Sequence, residues 1–511
     1  MNNKDCIIFR NDTFLLNTSH YSYLFRISRH GHLEHLHYGN RVEIEDADSL
    51  ALNYSVGYGD SILYDEADPH YCLSEVPQEF PSEGRGDYRE PAVILVDEKG
   101  NNSLDLTYRS HEISHDSTEY PTDLPVSRKA DGLLTVRLCD FYRQIEVHLF
   151  YKVFYEEDVI ARSVRIINHS ESDQHLRRLM SSSIDLLEDR LVAMSFHGHW
   201  AREMGLVEVP VSESAVINGS REGFSSSTCN PGYLLRRPDT TEDAGRAWGF
   251  NLIYSGSHYD STALNHVGQC RTMIGIQPEG LDWILKPEDS FSAPEAVLSF
   301  SDKGLNDLSH HFHNFINRHI VPDQWQYKER PILINSWEGF GFSFTQDSLV
   351  ELAQQARELG CDLFVLDDGW FRERNNDLSG LGNYETDTTK LPDDLNGLAD
   401  RIRETGLAFG LWVEPESVSV ESELYRSHPD WAIHDKLHGD LYGRHQLLLD
   451  LTRKEVQDFI VENVGKIIDK TKASYIKWDM NRQLLGVDRN FNHRYILALY
   501  DVLKRIFEKR P

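Results

Sequence analysis

Between Ile145 and Val153 every second residue is apolar: Ile145, Val147, Leu149, Tyr151 and Val153 alternate with mostly polar neighbours. That period of two is the pattern of a half-buried strand. After a turn at Glu156-Glu157-Asp158, residues 159–167 repeat the character and stop at Asn168-His169-Ser170, which predicts an antiparallel partner. Residues 135–138, 247–254, 272–276 and 296–300 are further short strand candidates. Many short strands without long helices between them predict a sandwich, placed at residues 1–304 as an N-terminal β-domain.

The pattern changes after Leu305. Residues 305–320 are amphipathic and predict a connecting helix, followed by a linker from Val321-Pro322-Asp323 to Arg330-Pro331, so that 305–330 connects the two domains. From residue 331 strand and helix periods alternate. Strands are expected at 332–337, 363–370, 407–413 and 475–481, and helices at 347–359, 395–404, 453–470 and 493–509. Four β-then-α units in succession require parallel strands with crossover helices. An open doubly wound sheet has the same alternation, but no G-x-G-x-x-G or phosphate-binding loop follows any of these strands. The expected architecture is therefore multidomain, an N-terminal β-supersandwich and then, over residues 331–511, the first half of a (β/α)8 TIM barrel.

Charge narrows the partners. With 82 acidic against 52 basic residues the formal net charge is −30, which disfavours nucleic acid, whose binding rests on Lys and Arg at phosphates. No apolar run reaches the length of a membrane span, and the first residues lack a basic segment followed by an apolar one, so no membrane role and a cytoplasmic location are expected. The six cysteines are scattered with no C-x-x-C pair and are read as reduced, structural thiols.

Chemistry gathers where the predicted strands end: Asn335-Ser336-Trp337, Asp367-Asp368-Gly369-Trp370, Trp412-Val413-Glu414-Pro415-Glu416 and Lys477-Trp478-Asp479-Met480-Asn481. In a strand, Lys477, Asp479 and Asn481 share one face while Trp478 and Met480 share the other. Alone, such a triad is an ordinary strand end. Four polar ends converging at the C-terminal face of barrel strands form a site. Asp367, Asp368, Lys477 and Asn481 suit the hydroxyls of a sugar, and Trp337 and Trp412 offer apolar faces to a pyranose ring. Without histidines or a D-x-D-x-D loop nearby, neither a metal nor another cofactor is expected. Glu414 or Glu416 could pair with Asp479 in glycosidase chemistry, and Glu414 could equally orient a neighbour. Two loops of the first half, residues 77–91 and 200–203 around Trp200, have the composition of binding loops, although an exposed structural turn is the plainer reading of each.

These motifs, with His428-Pro429-Asp430-Trp431, Gly443-Arg444 and Gln446 to Asp450 between them, occur in the order found in bacterial α-galactosidases of glycoside hydrolase family 36, which the chain resembles over nearly its whole length. The resemblance implies a retaining exo-α-galactosidase acting on terminal α-galactosides such as melibiose and raffinose-type sugars. Asp479 would be the nucleophile. Asp367 and Asp368 would bind the galactose 4- and 6-hydroxyls, with Lys477 and Asn481 on other hydroxyls. Arg444 would lie beside the reacting centre, with Trp200, Trp337, Trp412 and Trp478 around the sugar and Lys477 close to Asp479. The family is commonly a homo-oligomer, a tetramer, with a small C-terminal β-domain. Trp337-Glu338-Gly339-Phe340-Gly341 departs from the usual Trp-Glu-Ala-Thr-Tyr, Tyr442-Gly443-Arg444-His445 from Glu-Gly-Arg-Asn, and Asn53 stands where an Asp can serve a neighbouring subunit. The general acid/base of the family falls in the barrel half beyond residue 511, so this chain is expected to be truncated and inactive by itself. The alternatives are a galactoside-binding or assembly half of a split enzyme, an α-N-acetylgalactosaminidase, or a galactosyl transferase.

Overall fold

Alternating apolar positions build the first part of the molecule from antiparallel sheets. In the computed structural model, which describes residues 6–52, 62–116, 118–225, 228–485 and 488–510, strands Ile145–Phe154 and Val159–Asn168 pair in unbroken antiparallel register from Ile145 opposite Asn168 to Phe154 opposite Val159. Asp158, with φ 55°, takes the left-handed conformation that closes their turn. Among the described residues this hairpin lies within a ten-stranded sheet, accompanied by a six-stranded sheet and a four-stranded meander running from Ile7 to Asn40.

The chain divides into two compact units, Met1–Gln326 with Asp488–Asn490, and Tyr327–Val487 with Phe491–Pro511. Helix Leu305–Phe315 belongs to the first unit, because Phe315 and Phe312 pack with Phe154, Val159 and Val297. The stretch expected to connect the domains, 305–330, is therefore mostly first-unit structure.

The 77–91 loop is an internal clamp. Arg89 donates to Asp87 at 2.8 Å, to Asp185 at 3.1 Å and to the carbonyls of Leu73 and Val76, each at 2.8 Å. Arg271 completes the network on Asp185 at 2.7 Å and Asp87 at 2.9 Å. Charges this buried persist because each is paired and hydrogen-bonded, so the loop's composition serves structure.

In the second unit four parallel strands run β1 (Leu333–Asn335), β2 (Leu363–Leu366), β3 (Ala408–Val413) and β4 (Tyr475–Trp478), each paired with the next. Helices α1 (Gln346–Glu358), α2 (Asp394–Glu404), α3 (Lys454–Thr471) and α4 (Phe491–Phe507) follow them in turn. Helical spacing sends Leu349, Ala353 and Ala356 of α1, and Leu395, Leu398 and Ile402 of α2, into one core with Phe364, Leu366, Phe409 and Leu411. Thr345 caps α1 through the Ser348 amide, and Ser348 returns the bond in a capping box. The outer strands are less covered than β2 and β3: Leu333 is 39% and Tyr475 41% exposed, whereas every residue of β2 is buried. Three strands are markedly shorter than their patterns suggest, since β1 covers only Leu333–Asn335, β2 ends at Leu366 and β4 at Trp478. Their polar continuations turn away from the ladder to form the site.

Candidate active site

The ends of the four parallel strands converge on two linked carboxylate centres. At the first, Asp367 follows β2 directly, and its backbone N–H donates to Ser336 Oγ at 3.0 Å, fastening it to the end of β1. Asp367 Oδ2 accepts from Asn335 Nδ2 at 2.6 Å and from Lys477 Nζ at 2.9 Å, so β1, β2 and β4 meet on one oxygen. The Lys477 ammonium, expected beside Asp479, is thus salt-bridged to Asp367.

Asp368 has a different partner. Its carboxylate receives Arg374 Nε at 3.0 Å and Nη2 at 2.7 Å, a two-pronged pair in which Asp368 is 3% exposed and Arg374 fully buried. Burial outweighs the guanidinium and pushes the Asp368 carboxyl above its ordinary range. Gly369, at φ 100°, makes the turn that lets residues 370–374 fold back onto Asp368. The buried Trp370 then donates its indole N–H to the Trp412 carbonyl at 3.1 Å, tying this turn to β3.

The second centre is Asp479. Its backbone N–H donates to the Val413 carbonyl at 3.0 Å, just past the end of β4. Its Oδ2 accepts from Trp412 Nε1 at 3.1 Å and from Asn481 Nδ2 at 2.8 Å. Trp412 is 2% exposed and lies nearly parallel to Phe371, so it presents an N–H edge to the site, where the residue pattern suggested an apolar face. Trp337 is partly buried, with its ring at right angles to Phe342 and 5.0 Å away.

Two glutamates lie behind Asp479, Glu414 inaccessible and Glu416 1% exposed. Glu414 accepts from Asn481 Nδ2 at 2.9 Å and from the Gln446 amide; Glu416 accepts from Trp478 Nε1 at 2.7 Å. Desolvation raises both carboxyls, that of Glu414 to about 7, with the Asn481 hydrogen bond and Arg444 charge opposing the rise. Arg444 itself is exposed, has φ 48° and donates to Asp377 at 3.2 Å. Trp200 belongs to the first unit, where it stands 87% exposed in the turn between strands Val192–His199 and Arg202–Pro210. Asn53 lies outside the described residues.

The structure thus links Asp367 to Lys477, Asp368 to Arg374, and Asp479 to Trp412 and Asn481, while Trp478 reaches Glu416. It adds Arg374 and Gln446, to which sequence reasoning assigned no role. Arg374 sits in an irregular loop with no period to orient it; its one signal is a basic residue shortly after paired acids. Among the described residues no cluster of three or more His, Cys, Asp or Glu side chains suits a metal ion.

Parallel strands with acids, amides and indoles at their C-terminal ends have the arrangement of a barrel-type enzyme site. Residues 31–286 match the family described as Glycosyl hydrolase family 36 N-terminal domain, and residues 290–511 match Melibiase. Bifunctional alpha-galactosidase/sucrose kinase AgaSK of Mediterraneibacter gnavus is 37% identical across 98% of this chain, and Alpha-galactosidase Mel36A of Lactobacillus acidophilus is 35% identical across 98%. The chain spans about half of the first relative, 54%, and 70% of the second. The solved galactosidase domain of AgaSK superposes with a TM-score of 0.95 at 37% identity, covering 99% of this chain and 71% of that one. A doubly substituted GH36 alpha-galactosidase AgaA from Geobacillus stearothermophilus, solved in complex with raffinose, gives 0.93 at 35% identity, covering 98% and 71%. The chain belongs to glycoside hydrolase family 36.

Proposed function

We propose that this chain carries the galactose-recognising, nucleophile-bearing part of a retaining exo-α-galactosidase. The observation that supports this most is the pair of centres at the strand ends: a carboxylate cluster on Asp367 and Asp368 that can accept sugar hydroxyls, and Asp479 held by one oxygen. Asp479 attacks the anomeric carbon, the glycosidic bond breaks with its electrons going to the leaving oxygen, and an acid protonates that oxygen. Water then releases galactose from the galactosyl-Asp479 ester. Lys477 and Asn481 serve ring hydroxyls, Trp337, Trp412 and Trp478 shape the surroundings of the sugar, and Arg444 supplies positive charge. Melibiose and raffinose-type oligosaccharides are the proposed substrates; AgaA has been solved with raffinose and, as a further variant, with stachyose. A cytoplasmic location and assembly as a homotetramer are part of the same proposal, as is a role for Trp200 in galactoside recognition.

A retaining site requires a second carboxylate roughly 5–5.5 Å from the nucleophile and able to reach the leaving oxygen. Glu414 and Glu416 are buried and engaged with amides or an indole, so neither can serve. The 511-residue polypeptide alone is therefore proposed to bind galactose without turning over p-nitrophenyl α-galactoside. Calorimetry with galactose should show binding that Asp367→Ala abolishes; absence of binding by the wild type would overturn the site. Turnover of the nitrophenyl sugar that vanishes in Asp479→Ala would show that the acid lies within these residues.

A further inference from the structure

Glu414 has no part in the reaction as written, yet it is one of the most completely enclosed acids in the barrel unit, at 0% exposure. One of its oxygens accepts from Asn481 Nδ2 at 2.9 Å, and the same Nδ2 donates to Asp479 Oδ2 at 2.8 Å. A single amide nitrogen therefore bridges two carboxylates whose nearest oxygens are at most about 6 Å apart. That spacing resembles a catalytic pair, but a general acid must offer its proton to the substrate. Both Glu414 oxygens face amides inside the protein.

We propose that Glu414 is a positioning residue for Asp479, acting through Asn481. By accepting from the Asn481 amide it directs that N–H onto Asp479 Oδ2, beside the Trp412 indole N–H at 3.1 Å. With Oδ2 held by two donors, Oδ1 is the oxygen left to attack. This inference rests on Asp479 being the nucleophile of the reaction proposed above.

The support behind Glu414 is built with equal care. Strands Ser417–Ser419 and Gln446–Leu448 pair antiparallel, Ser419 opposite Gln446, and bring the Gln446 amide onto the second Glu414 oxygen. Gln446 is 1% exposed, and its Oε1 is buried with no hydrogen-bond partner among the described residues. Turning the Gln446 amide over would place that orphan oxygen against Glu414, where it could accept a carboxyl proton. The site can thus hold Glu414 charged or neutral, and burial makes the neutral form accessible near pH 7. The other charged groups that act on it are Arg444 and Glu416, and Asp479 acts in turn on Glu416.

Glu414→Ala and Glu414→Gln separate positioning from simple packing. The glutamine retains an acceptor for Asn481 and offers an N–H to Gln446 Oε1, while alanine offers neither. In the whole chain labelled with 15N-tryptophan, the Trp412 indole resonance should move in Glu414→Ala, and galactose affinity should fall about tenfold, the loss of one charge-assisted hydrogen bond's worth of order. Glu414→Gln should recover most of both. Between pH 5 and 9 the wild-type Trp412 resonance should show a step near neutrality that Glu414→Gln lacks. An unmoved Trp412 resonance in Glu414→Ala, a glutamine variant as impaired as alanine, or a neutral step that persists in Glu414→Gln would each overturn the proposal. If the wild type binds no galactose while the resonances behave as described, the positioning stands and the assigned function falls.

Discussion

Replacing Arg374 by methionine should be among the most damaging single changes in the barrel unit. The guanidinium is fully buried, pairs with Asp368 through Nε at 3.0 Å and Nη2 at 2.7 Å, and donates from Nη1 to the Ser379 carbonyl at 3.1 Å. Methionine fills much of the volume but leaves a carboxylate that is 3% exposed without its counter-charge. Breaking a buried pair from one side costs about 3–5 kcal/mol, because the remaining charge stays desolvated. For a unit of this size that corresponds to a fall in Tm of roughly 6–20 °C. The sign of the pH dependence provides an internal check. Burial already raises the folded-state Asp368 carboxyl above its ordinary value of 3.8, and losing Arg374 raises it further. Stability linked to such a group is fully present below the unfolded value and lost as pH rises through the folded one. The deficit of Arg374→Met relative to wild type should therefore shrink towards pH 4 and widen towards pH 8. Calorimetric unfolding at both pH values, with Asp368→Asn and the double variant completing a cycle, measures the coupling. A deficit below about 0.5 kcal/mol, or one that grows on acidification, would refute the reasoning.

Other outcomes follow from the same geometry. Lys477→Met removes the ammonium from Asp367 and should weaken galactose binding about 10- to 100-fold by calorimetry, the range of a hydrogen bond to a charged group. The raised Glu414 and Glu416 carboxyls should together make wild-type stability decline as pH rises above the ordinary carboxylate range. Glu414→Gln removes one of the two acids and should make that part of a Tm-against-pH curve shallower. Thr345→Ala removes the α1 cap and should cost about 1 kcal/mol in denaturant unfolding, without altering galactose affinity.

The barrel unit's architecture is written in its periods. Helical spacing places Leu349, Ala353 and Ala356 on one helix face, and the change of period predicts strands at β2 and β3, because those patterns follow directly from backbone geometry. The order of acids at the strand ends likewise points to Asp367, Asp368 and Asp479, since parallel strands deliver their C-terminal ends to one face. Partners were less legible. Lys477 and Asp479 are two residues apart, yet the ammonium reaches Asp367, 110 positions away. Trp412 has the composition of a sugar platform, but packing against Phe371 leaves only its N–H to work with. The 77–91 loop has a composition that fits a binding segment or, more plainly, an exposed structural turn, and its partners make it an ion-paired clamp.

What the sequence determined by itself is the set of elements, their parallel order and the acids they carry, all properties of local period and chain direction. What only the tertiary structure decided is which charge meets which carboxylate. That choice depends on distances between strands brought together from far along the chain, and on burial, which makes Arg374 indispensable to Asp368 and lets Glu414 hold a proton near neutrality.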